Sequence, residues 1–158
     1  MKFLVIVFFI VILAGIILRY IRSQGAVSGP PSAKVAEIPS IVSTLERNGF
    51  GGSFVVFLFT LPGNNDEMMP NIQYSIENGR VGLDWVLEAP QNIKDQIPLA
   101  DFIKRNGYTV LRNDAEDVPY LRVEGKGVAD LGVKILRDFY HLSPDATLEL
   151  ISEGVPRD

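Results

Sequence analysis

The segment NIQYSIENGRVGLDWVLEA, Asn71 to Ala89, constrains the fold more tightly than any other part of the chain. Asn78-Gly79 is the dipeptide that best tolerates the positive φ angles of a two-residue hairpin turn. With that turn, Glu77 opposes Arg80, Ile76 opposes Val81, Ser75 opposes Gly82, Tyr74 opposes Leu83, Gln73 opposes Asp84 and Ile72 opposes Trp85. Ile72, Tyr74, Ile76, Val81, Leu83 and Trp85 then share one face, and Gln73, Ser75, Glu77, Arg80, Gly82 and Asp84 the other. A one-residue slip would destroy the sorting, so the register is specified. Asp84 and the chain's single tryptophan, Trp85, although adjacent, point to opposite sides. If helices cover only the Trp85 side, Gln73, Ser75, Arg80 and Asp84 form a contact surface; a cover over the other side would make Asp84 a buried acid.

The rest of the chain is organised around this hairpin. SFVVFLFTL, Ser53 to Leu61, is rich in β-formers and lies between GFGG and PGNN, as expected of a central strand covered on both faces. Upstream, Val35, Ile38, Ile41, Val42 and Leu45 recur at helical spacing over 34–48, with Pro39 as a kink or restart and Gly49 as the stop. Downstream, Pro98 to Asn106 reads as a short helix with Pro98 at its start. YTVLR and YLRVEG read as two strands around the loop NDAEDVP, Val128 to His141 as a helix, and TLELIS as a last strand. The order is helix, three strands, helix, two strands, helix, strand. It predicts an α+β domain with a largely antiparallel sheet of about six strands and three helices.

Phe3 to Leu18 is 16 uninterrupted apolar residues, about 24 Å long as a helix at ~1.5 Å per residue. Tyr20 and Ile21 extend its apolar surface and Arg19 can snorkel, so the segment reads as one membrane-spanning anchor. A cleaved signal peptide is the competing reading, with Lys2 as its basic start and AVS before Gly29 as a cleavage site. Against it, Arg19 and Arg22 follow the apolar run directly. The expected organisation is an anchor over residues 1–22, a Ser/Gly/Pro linker over 23–33, and one globular domain over 34–158. Arg19, Arg22 and Lys34 after the span outnumber Lys2 before it, which mildly favours a cytoplasmic domain.

Charge and composition narrow the chemistry. Residues 34–158 carry 12 of the 15 basic residues and all 19 acidic ones, a formal charge of −7. That balance argues against a nucleic-acid partner. With no cysteine and one histidine, His141, disulfides, thiolate metal sites, cysteine nucleophiles and imidazole pairs are excluded, and no cofactor or metal is expected. His141 at the end of the last helix suits a capping role. Gly125-Lys126-Gly127 before a helix could hold an anion, but neither the phosphate-loop nor the dinucleotide pattern is complete, and a plain turn is the simpler reading. The acidic loop with Asp114, Glu116 and Asp117 lacks the EF-hand spacing. Asp84 and Glu88 lie roughly 13 Å apart along a strand, too far to share a proton. Met68 and Met69 in DEMMP could form an adaptable contact patch or tuck against the sheet.

These readings predict a membrane-tethered, acidic protein-interaction module without catalytic activity, of the immunity or adaptor type found in bacteria, with the membrane and a protein as partners. The analogy with acidic immunity proteins is one of charge and size. The expected binding surface is Gln73, Ser75, Arg80, Asp84, Asp114, Glu116 and Asp117. The alternative is a carboxylate-dependent hydrolase or small-ligand-binding domain using Asp84, Glu88 or the acidic loop.

Overall fold

The structure is a computed structural model that describes residues 31–64, 68–114 and 118–155. The expected anchor and all but the end of the expected linker lie outside the described residues. Among the described residues no helix is long and apolar enough to cross a membrane. The chain forms β1 (Ser32–Lys34), a 3-10 turn (Val35–Glu37), α1 (Ile38–Asn48), β2 (Phe54–Leu58), β3 (Asn71–Glu77), β4 (Arg80–Val86), α2 (Pro90–Arg105), β5 (Leu111–Asn113), β6 (Tyr120–Glu124), α3 (Val128–Lys134) and β7 (Thr147–Glu153). One π-helical turn, Ile135–Phe139, continues α3. The architecture is the expected α+β one: the described residues form three helices and an antiparallel sheet of seven strands in the order β1-β7-β2-β3-β4-β6-β5.

The seventh strand is β1. It pairs with β7 through Ser32–Glu149 and Lys34–Thr147, and it occupies residues read from the sequence as linker and helix start. Three residues carry too little periodicity to mark a strand; pairing with β7 makes them one. The hairpin has its expected register, from Gln73 opposite Asp84 to Glu77 opposite Arg80. Asn78 and Gly79 have φ of 51° and 74°, as a two-residue turn requires. The helix expected at Pro98 begins eight residues earlier, at Pro90, and Pro98 lies inside it. Proline normally marks a start because it lacks an N–H; here the apolar contacts of Leu99 and Ile103 hold the helix through it.

All three helices lie on one side of the sheet, the first face. Ile38, Val42 and Leu45 of α1, Leu99 and Ile103 of α2, and Val128 and Leu131 of α3 join Val55, Phe57, Ile72, Tyr74, Leu83 and Trp85 in one buried cluster. Each fully buried aliphatic or phenyl side chain there contributes roughly 1.5–3 kcal/mol relative to exposure. Alternate residues of β2, Phe54, Val56 and Leu58, form a separate buried cluster on the opposite, second face, with Met69 and Ile151 against it. Both sides of β2 are thus removed from water, as its unbroken apolar run implies.

Candidate functional site

The second face is where the sheet brings polar side chains together. Strand β6 runs beside β4 with Arg122 opposite Asp84, and β3 flanks β4 on its other side with Ser75 opposite Gly82. Asp84 is 1% exposed and Arg122 5%. Arg122 Nη1 donates to Asp84 Oδ1 at 2.7 Å and to Ser75 Oγ at 2.9 Å, and Ser75 Oγ donates to Asp84 Oδ2 at 2.5 Å. Arg122 Nε donates to Glu124 Oε1 at 2.8 Å, Arg122 Nη2 to the Arg80 carbonyl at 3.2 Å, and Glu77 Oε1 lies 3.4 Å from Nη1. Tyr120 donates to Glu77 at 3.2 Å and is itself met by Asn113 at 2.6 Å. Arg80, exposed, reaches Glu124 at 3.7 Å. Gly82 makes the room: a Cβ there would run into the Arg122 guanidinium.

Three carboxylates therefore converge on a guanidinium under restricted access to water. Burial pushes the Asp84 carboxyl up to about 7, against the pull of Arg122 in the other direction; nearby Glu77 adds to the rise. For Arg122, burial disfavours the charge, but Asp84, Glu124 and Glu77 together outweigh it and hold the guanidinium protonated. Burial, then Glu77 and Asp84, raises the Tyr120 phenol. Glu88 is raised by burial. Chemically the cluster is an ion pair with its hydrogen-bonding capacity largely used. Ser75 Oγ is engaged by Arg122 and by Asp84, so it lacks a free base, and His141 is exposed at the far end of α3. Gln73 Oε1, on the same face, is buried without a hydrogen-bond partner.

The structure unites Gln73, Ser75 and Asp84 on this face, with Arg80 at its rim. It does not bring Asp114 to them. Asp114 is exposed and paired with Arg112 at 2.7 Å, while Glu116 and Asp117 lie outside the described residues. The sequence left open whether Asp84 lies on an open contact surface or is a buried acid; the carboxylate is buried, and its partner is Arg122. Arg122 was missed because its strand lies 38 residues downstream and nothing local announces that β6 pairs with β4. Gly82 was the available signal: a glycine inside a strand marks close approach by another group.

The other candidates resolve individually. Gly125-Lys126-Gly127 borders a cleft of about 340 Å³ with Glu46, Ser43 and Asp130, and the two acids oppose an anion there. His141 has φ of 59° and closes the last helix in a left-handed conformation, with Leu142 N donating to Leu136 O at 2.9 Å. Met69 packs against Phe54, Val56 and Leu58. Among the described residues no group of acids and histidine is arranged to hold a metal ion. Comparison of the chain with protein-family models, curated proteins and solved structures found no match.

Proposed function

We propose that the chain is a membrane-tethered, acidic protein-interaction module whose contact surface is the second face of the sheet. The observation that carries this reading is the one-sided arrangement of the helices. All three described helices pack on the first face, while the second holds the buried Phe54, Val56 and Leu58 of β2 beside a charged cluster on β3, β4 and β6 whose rim, at Arg80, is exposed. The exposed part of this face is its charged rim, which suits electrostatic recognition of a partner. Glu149 and Glu153 stand exposed on β7 along the same face. With Glu77 and Glu124 at the other side, the rim is acidic and fits a basic partner. The tether is the apolar run Phe3 to Leu18.

Affinity capture of the full chain from a detergent extract tests the reading. A stoichiometric partner is expected that dissociates as salt is raised, and whose capture falls when Glu149→Lys and Glu153→Lys are combined. Monodisperse protein without a partner at any ionic strength would count against it.

A further inference from the structure

Asparagine precedes glycine three times in the chain, at Asn48-Gly49, Asn78-Gly79 and Asn106-Gly107, and the fold treats the three pairs differently. Such a pair carries latent chemistry, because glycine has no Cβ to hinder attack by its own backbone nitrogen on the preceding side-chain amide. The attack requires that nitrogen to be free and the main chain to turn towards the side chain. At the end of α1, Gly49 N donates to Leu45 O at 2.8 Å, and the Leu45 carbonyl and Ile76 crowd the glycine. Past α2, Gly107 N donates to Lys104 O at 2.9 Å, and the Asn106 amide is held by Phe102 O at 2.8 Å. Hydrogen bonds at helix ends therefore lock both pairs. Asn78-Gly79 has no such lock. Both residues are exposed at the tip of the hairpin, and nothing lies within 4 Å of a Cβ placed on Gly79. Among the described residues neither Gly79 N nor the Asn78 amide meets a hydrogen-bond partner.

We propose that Asn78 is a site of self-modification, where Gly79 N closes on the Asn78 side chain and converts it, through a cyclic imide, to aspartate and isoaspartate. Water is the one co-reactant. Gly79 N loses its proton and forms a bond to Asn78 Cγ, the Cγ–Nδ2 bond breaks, and the nitrogen leaves as ammonia. Water then opens the ring at Cγ, which gives aspartate, or at the main-chain carbonyl carbon, which gives isoaspartate with the chain running through the side-chain methylene.

The turn is suited to ring closure. Asn78 has φ of 51° and Gly79 of 74°. A two-residue hairpin turn with a positive φ at its first position exists in two forms, related by a flip of the peptide between the two residues. The flip keeps that φ positive and swings ψ of the first residue to about −120°. Gly79 N then lies on the same side as the Asn78 side chain. Glycine in the second position follows without steric cost. Closure thus proceeds inside a turn that the strands accept, with Glu77 still opposite Arg80. At Asn48 and Asn106 a helix end must first open.

The product changes a defined place. Each conversion puts a carboxylate beside Glu77 and Arg80, and Arg80 already faces Glu124 at 3.7 Å. The hairpin end of the second face gains one negative charge, irreversibly. This inference stands whether or not that face binds a partner.

The three pairs serve as controls for one another. The full chain in detergent micelles is aged in mildly alkaline buffer made with heavy-oxygen water, beside a sample kept unfolded in guanidinium chloride. Peptides containing residues 48, 78 and 106 are then followed by mass spectrometry. The ratio of folded to unfolded conversion rate is expected to be roughly tenfold higher at Asn78 than at Asn48 or Asn106, or more. Each converted Asn78 should carry one heavy oxygen, and both aspartate and isoaspartate should form. A ratio at Asn78 no higher than at the other two sites would overturn the inference, because the fold would then not single it out. Aspartate as the sole product would overturn it as well, since that reports direct hydrolysis of the amide without ring closure.

Discussion

Arg122 is held between Asp84 on β4 and Ser75 on β3, and its value to the fold depends on all of them being present. Two ions taken out of water regain their hydration energy only through good mutual geometry, so removing one partner leaves an uncompensated charge. Arg122→Met is expected to cost about 3–5 kcal/mol in urea unfolding. Combining it with Asp84→Leu should recover most of that loss; equal losses in the single and double variants would show that the pair is not coupled. The raised carboxyl of Asp84 has a definite sign. Between 3.8 and about 7 the folded state keeps a proton that the unfolded chain has released. The stability this group contributes is therefore full at low pH and lost as pH rises through about 7. At most the slope is about 1.4 kcal/mol per pH unit. Asp84→Asn should abolish it, so unfolding free energies of the two chains across this range should diverge; parallel profiles would refute the assignment.

At the scale of elements, α3 is positioned by a glycine. Gly132 meets the Tyr74 ring from β3, and a Cβ there would collide with its hydroxyl. That hydroxyl lies 3.1 Å from the Val128 carbonyl and 3.2 Å from that of Ala129, which fixes the start of the helix on the sheet. The helix continues into the π-helical turn, where Tyr140 N donates to Ile135 O at 3.1 Å. Beyond it Tyr140 stacks on Trp85 at 6.0 Å and meets Phe59 at 5.0 Å. Gly132→Ala is expected to cost roughly 1–3 kcal/mol by overpacking. Adding Tyr74→Phe removes the obstructing oxygen, so the double variant should lose less than the sum of the singles in thermal or urea unfolding. The sequence placed Gly132 and Tyr74 on opposing elements and gave no sign of their contact, because helical periodicity reports which face is buried and not what it is buried against.

At the scale of the whole molecule, the sheet is firm in the middle and thin at its edges. β3 and β4 pair along their length and are flanked by β2 and β6, whereas β1 and β5 are three residues each and paired on one side. Hydrogen exchange followed by mass spectrometry should find β1 and β5 the first strands to lose protection and β3 and β4 the last; uniform exchange would contradict the layout. The hairpin, the apolar β2 and the number of helices were legible in the sequence because each is specified within a short window, by turn chemistry, alternation or helical spacing. The start of α2 was not, since tertiary contacts carry the helix past Pro98. β1 was not, since pairing alone defines it. By itself the sequence determined that Asp84 and Trp85 face opposite ways, and the register of Asn78-Gly79 was sufficient for that. Only the tertiary structure decided that the Asp84 side is closed, and that Arg122 closes it together with β3. A strand's alternation assigns its side chains to two faces, but what lies over each face depends on residues far away in the chain.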